Sequence, residues 1–261
     1  MAQQNRTPQR LLMGTWNHGG IRGDGATWVG DVDFGPAAKW GDAVYNVHRL
    51  RWFDHWLKGV ETGLEDDPPV RIFVMGTGDG RKTADGLLNH GGSWRNEKEW
   101  PLARTQYTKY YLAQGGGLST TAPAVAQSTT SFVFDPRNPV PTIGGNISSG
   151  NGILLQGAWD QRGGPHVWNW TQPIPLSARN DVVVFQTEPL SGDVEVTGEI
   201  EVRLWISSTA ADTDFTAKLI DVEPDGTAYN LDETILRARY REGFDKKVWM
   251  EKDKVYKLTM S

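Results

Sequence analysis

The 261-residue chain predicts two kinds of architecture in succession, an α/β segment followed by an all-β sandwich. Three observations predict this. A short apolar run, Leu11 to Met13, leads through Gly14-Thr15-Trp16-Asn17 to His18-Gly19-Gly20, as a buried parallel strand feeding a loop would. A helix-period stretch then precedes a second apolar run, Val70 to Met75. From Trp100 onward the texture changes to short β-type runs separated by Gly, Pro, Ser and Asp, the pattern of an antiparallel sandwich. Domains run roughly 100 to 200 residues, so the length suits one large or two modest domains. The change of texture sets the boundary near residue 103, dividing the chain into 1–103 and 104–261.

The elements follow in order. Gly19-Gly20 lets the backbone turn sharply beyond His18. Residues 19 to 35 form a glycine-rich surface loop in which Asp24, Asp31 and Asp33 lack the spacing of a calcium loop. From Pro36 to Lys58, Val44, Val47, Leu50, Phe53 and Leu57 recur at three or four residues, and Gly59 supplies the stop. Tyr45, Trp52 and Trp56 add a second stripe, which predicts a helix covered on two sides. His48 and His55 lie seven apart on it, without a third ligand to make a zinc site. Residues 76 to 94 form a polar excursion, either bordering an active-site mouth or a surface insert. In it, Gly91-Gly92-Ser93-Trp94-Arg95 begins like a nucleophile elbow but ends in Arg, and no apolar strand leads into Ser93.

In the second half the candidate strands are 107–112, 131–134, 182–187, 194–206, 215–222, 234–241 and 255–260. The 194–206 run alternates most clearly. Val194, Val196, Ile200, Val202, Leu204 and Ile206 mark one buried face, and Glu195, Thr197, Glu199, Glu201 and Arg203 the wet one. Trp205 falls on the wet side, so another surface is expected to cover it.

Composition excludes several classes. The net charge of −5 is spread without a basic run, which argues against nucleic acid. No stretch approaches the roughly 18 apolar residues of a membrane span. With no cysteine, disulfides and thiol chemistry are out, and a cytoplasmic bacterial protein fits. No metal or cofactor is expected. Twelve Trp are unusually many and suggest packed sheets, an interface or an apolar pocket.

The histidine loop, Gly14-Thr15-Trp16-Asn17-His18-Gly19, resembles that of the cocaine esterase and X-Pro dipeptidyl-peptidase group of serine hydrolases, the CocE/NonD family. The resemblance continues through Arg51-Trp52-Phe53-Asp54-His55-Trp56-Leu57-Lys58-Gly59, Pro69 to Gly76, Trp100-Pro101-Leu102, Phe134-Asp135-Pro136 and Asp212 to Val222, in the family's order. It implies the carboxyl-terminal end of an α/β-hydrolase domain followed by a β jelly roll of the galactose-binding-like kind, incomplete at its end. It also implies that His18 is the triad histidine, and that Leu204 and Trp205 line the substrate pocket; packing between domains is the alternative for that pair. Asp160-Gln161-Arg162 also recurs in the family, without a role that the residues themselves suggest.

In the family, as in α/β-hydrolases generally, the triad runs Ser, then acid, then His. Residues 1 to 17 contain no Ser, Asp or Glu. The expectation is therefore a portion of a serine hydrolase for small ester, amide or peptide substrates, carrying the general base alone, inactive by itself and prone to self-association. A bare His among glycines also fits a satisfied loop histidine, and the competing function is a non-catalytic jelly-roll binding module.

Overall fold

The computed structural model describes residues 7–18, 23–124, 128–146, 155–163 and 174–261. It is mostly sheet, with one α-helix among the described residues. Strand β1 (Leu11–Met13) pairs in parallel with β4 (Val70–Met75), Leu11 opposite Val70 and Met13 opposite Ile72. Between them in the chain lie β2 (Trp28–Val29), β3 (Val32–Asp33) and helix α1 (Asp42–Lys58). Two parallel strands cannot be joined by a tight turn, so the apolar runs at 11 and 70 need this long connection. Among the described residues no helix is long and apolar enough to cross a membrane.

Helix α1 ends where the sequence places its stop. Gly59 adopts the left-handed conformation, φ 68°, and its N–H donates to the carbonyls of Asp54 and His55. The start differs. Residues 36–38 form a separate 3-10 turn, and the chain is extended at Gly41 before the helix begins at Asp42. Gly41 passes so close to Asp24 that an added Cβ would lie 2.5 Å from the Asp24 backbone. The expected cover on two sides is absent: no residue of α1 is buried by the described residues, and Leu50 and Leu57 are 60% and 77% exposed.

The expected excursion at 76–94 enters sheet at its far end. Strand β5 (Leu88–Asn89) pairs in parallel with β3, and β6 (Gly92–Glu97) runs antiparallel to β4, with Ser93 opposite Val74. The sequence hides this because β5 is two residues long and β6 is polar; pairing with an apolar partner, not periodicity, makes it a strand.

The second half contains β7 (Tyr111–Leu112), β8 (Leu118–Ser119), β9 (Val202–Ile206), β10 (Asp214–Val222), β11 (Ala228–Arg237) and β12 (Tyr256–Met260). β10 and β11 form an antiparallel hairpin, and β9 pairs antiparallel with β12. Ile206 of β9 and Leu258 and Met260 of β12 make one core cluster with Ala238 and Met250 from the segment between β11 and β12. Residues 131–134 and 182–187 are not strands, and the 194–206 run is strand only from Val202. Gly198 breaks it with φ 134°, and Val194 and Val196, expected inside, are 50% and 58% exposed. Alternation marks which residues share a face; a paired neighbour decides whether that face is covered.

The two halves are joined by a mixed core and an ionic clasp. Tyr229 of β11 is buried with Val29, Val32, Phe34, Ala38 and Leu88 of the first half. Arg95 of β6 grips both carboxylate oxygens of Glu195 at 2.8 Å each, and its Nε donates to Glu97 at 2.6 Å. Arg104 binds the same buried Glu97 from the other side. The Arg95 guanidinium, and secondarily the Thr197 hydroxyl, hold the Glu195 carboxyl down at about 2. A carboxyl depressed on folding contributes stability that is fully present above its ordinary value near 4.5 and is lost as pH falls from there toward 2. Glu195→Gln should therefore flatten the acid limb of a urea-denaturation series between those two values and leave its neutral limb parallel to wild type. An unchanged acid limb would remove the clasp from the account of stability.

Candidate active site

His18 stands at the end of the loop that leaves β1, and its side chain is exposed. The following Gly19-Gly20 turn lies outside the described residues. Among the described residues no hydrogen bond or ion pair holds the imidazole. The position of the loop comes from Trp16, two residues earlier. Its ring stacks on Trp40 at 5.0 Å between centroids and lies 5.9 Å from Trp94. Trp40 stacks in turn on His48 at 4.9 Å, and Trp94 meets Phe73 edge-on at 5.4 Å. The Trp94 indole N–H donates to the Ala37 carbonyl at 2.8 Å, and the Arg71 guanidinium lies over the same ring. Each such ring pair adds roughly 0.5 to 1.5 kcal/mol beyond the area buried. This cluster ties the histidine loop to the start of α1 and to β4 and β6.

Gly14 makes that arrangement possible. A Cβ there would lie 1.9 Å from the Trp16 ring, so Gly14→Ala must displace the indole. The expected result is an altered near-ultraviolet circular dichroism spectrum with the far-ultraviolet spectrum intact. An unaltered aromatic spectrum would mean that Trp16 does not fix the loop.

His48 belongs to the cluster as a neutral ring: burial, then Arg51 and Arg71, lowers its pKa. His55 lies 3.8 Å from Glu65. No group of three or more His, Asp or Glu is placed to hold a metal ion among the described residues. The loop carboxylates bind backbone instead: Asp33 accepts from the Gly35 N–H, Asp31 from Asp160, and Asp42 from Gly23. Ser93 lies inside β6, not at a strand-to-helix turn, so its surroundings are not those of a nucleophile elbow.

Leu204 and Trp205 sit side by side in β9 and point to opposite faces. Leu204, opposite Leu258, packs into the sandwich core; Trp205, opposite Lys257, is 69% exposed, so no described residue covers it. Asp160-Gln161-Arg162 acquires a role. The buried Gln161 amide nitrogen lies within hydrogen-bond distance of Ile143 O, Trp159 O and Asn230 Oδ1, and Asp160 pairs with Arg162. The tripeptide fastens the 143 and 159 segments to β11. Its signal in the sequence is a polar triplet, and nothing local reveals that the middle residue is inside.

A sequence profile of the X-Pro dipeptidyl-peptidase C-terminal non-catalytic domain matches residues 62–261. The chain is also 35% identical, over all of its length, to a cocaine esterase of Rhodococcus sp. (strain MB1 Bresler). The chain belongs to the CocE/NonD hydrolase family. The family's fold is evident in solved structures. An aminopeptidase from a marine sediment archaeon, Thaumarchaeota archaeon, matches 96% of this chain with a TM-score of 0.66 at 25% identity, over 38% of its own length. An α-amino acid ester hydrolase matches 95% with a TM-score of 0.64 at 24% identity, over 39% of its own length, and bears on the fold alone. This CocE/NonD chain spans 41% of the Rhodococcus esterase's length.

Proposed function

We propose that the chain forms part of a serine hydrolase for small ester, amide or peptide substrates and contributes His18 as its general base. One observation carries this: a histidine on the loop following a parallel strand, anchored through Trp16, in a chain similar along its whole length to a cocaine esterase. His18 would take the proton of a serine hydroxyl and return it to the leaving group, with a carboxylate orienting the ring. The order of the family's triad puts both partners ahead of residue 18, and residues 1–17 hold neither. In this reading β1 to β6 are the end of an α/β-hydrolase domain and the later strands belong to a jelly roll. The exposed face of α1 then meets the preceding part of that domain. Trp205 is the wall that the sandwich offers to the substrate, and Leu204 supports it from the core side of β9.

The test is turnover of an activated aryl ester by the 261 residues alone and by the same residues joined to a serine-bearing hydrolase segment of a family member. The expected outcome is turnover only in the joined form. Turnover by the 261 residues alone, abolished by His18→Ala, would overturn the argument from triad order.

A second reading, a sandwich that binds ligand without catalysis, is favoured by the match to a domain described as non-catalytic. Carbohydrate affinity that is indifferent to His18→Ala would select it.

A further inference from the structure

Helix α1 reaches the histidine loop through the ring of His48. That ring stacks on Trp40 at 4.9 Å between centroids and 29° between planes, and Trp40 stacks on Trp16 at 5.0 Å and 27°. Among the described residues no ring contact joins Trp16 to His48 directly, so the buried Trp40, 4% exposed, is the link between them. The other ring contacts of α1 among the described residues, Trp52 with Trp56, His55 with Trp56 and Arg49 over Tyr45, stay within the helix.

The following turn aims the ring. Residues three apart are neighbours on one side of a helix, and Arg51, three residues beyond His48, is tied down. Its Nε and Nη2 donate to the Thr62 carbonyl at 3.2 Å each, its Nη1 pairs with Asp67 at 2.9 Å, and the Thr62 hydroxyl donates to the Arg51 carbonyl at 3.2 Å. These bonds fix how α1 is turned about its axis and so set His48 against Trp40. Burial, then Arg51 and Arg71, hold the His48 pKa below its ordinary value, with Asp67 working the other way. Near neutral pH the ring is therefore uncharged. No hydrogen bond or ion pair engages it among the described residues, so what it offers Trp40 is a flat face. The column of rings ends at Trp16, two residues before His18. A catalytic group displaced by about 1 Å can lose on the order of 100-fold in rate.

We propose that His48 is a positioning residue for the histidine loop: its ring, aimed by the Arg51 clamp, braces Trp40 against Trp16 and so holds His18 where it serves as base. The catalytic half of this proposal rests on the reading of His18 as a general base.

The test has two arms. In the 261-residue chain the Trp16 indole N–H resonance, identified by its loss in Trp16→Phe, is compared among wild type, His48→Ala and His48→Phe. His48→Ala should shift it, and His48→Phe should leave it nearly in place, because a phenyl ring restores the stack without the imidazole nitrogens. In the hydrolase assembled with a serine-bearing segment, His48→Ala should lower kcat for an activated aryl ester by about tenfold to 100-fold with KM little changed. His48→Phe should recover most of that loss. An unmoved Trp16 resonance in His48→Ala, or a His48→Phe variant no better than His48→Ala, would overturn the proposal. So would a lowered urea midpoint with kcat intact, the mark of a residue that only stabilises the fold. No turnover by the assembled wild type would strike the general-base reading instead, and the resonance arm would then decide by itself whether His48 holds the loop. Should His48→Ala fail to fold, His48→Leu, apolar but without a ring, takes its place in both arms.

Discussion

His18→Ala is expected to lower aryl-ester turnover by about 1,000-fold or more in a hydrolase assembled from this chain and a serine-bearing segment. Without a base the serine hydroxyl keeps its proton and is a poor nucleophile, while substrate binding and any oxyanion donors persist. The loss should therefore fall on kcat, with KM little changed. A structural role for His18 predicts something different. The side chain is exposed, and no described residue bonds it, so truncation should leave the free energy of unfolding within the scatter of surface substitutions, about 0.5 kcal/mol. A large fall in stability with turnover retained would show that His18 is a loop anchor. Gly14→Ala offers an independent check, since it moves Trp16 without touching the imidazole. A drop in kcat there, together with the altered aromatic spectrum, would tie the base to its anchor.

Leu258→Ala should cost about 2 to 5 kcal/mol of stability, because Leu258 is 0% exposed and lies at the centre of the cluster that joins β9, β12 and residues Ala238 and Met250. The deletion removes packed methyl groups and leaves a void between two paired strands. Trp205→Ala on the other face of β9 should cost little in the same denaturation experiment, since the indole is 69% exposed. If Trp205 forms a wall of the substrate pocket, the same substitution should raise KM for an aromatic ester in the assembled enzyme. A stability loss for Trp205→Ala as large as that for Leu258→Ala would mean that the indole is packed in the folded protein and contributes as core. Equal kinetics for Trp205→Ala and wild type would remove it from the substrate site.

How far each feature could be read in advance depended on the range of the interactions behind it. The C-terminus of α1 at Gly59 and the strand at Val70 were legible because capping and apolar runs are local, encoded within a few residues. The β9 alternation correctly divided Leu204 from Trp205, since successive strand residues face opposite sides whatever surrounds them. It could not say that Val194 and Val196 would lie in the open, because that depends on a covering surface. Gly91-Gly92-Ser93 read as loop although Ser93 is strand: its pairing partner, Val74, lies nineteen residues earlier.

By itself, then, the sequence determined the succession of an α/β segment and a sheet-rich region, the helix stop, and His18 as the residue to watch at the end of a strand. Tertiary structure alone decided the rest. It brought Trp16, Trp40 and Trp94 together from three distant segments to hold the histidine loop. It buried Gln161 among three acceptors from segments far apart in the chain. The physical reason is the same in each case: burial and pairing depend on residues that meet only when the chain is folded, whereas propensity, capping and periodicity are settled between neighbours.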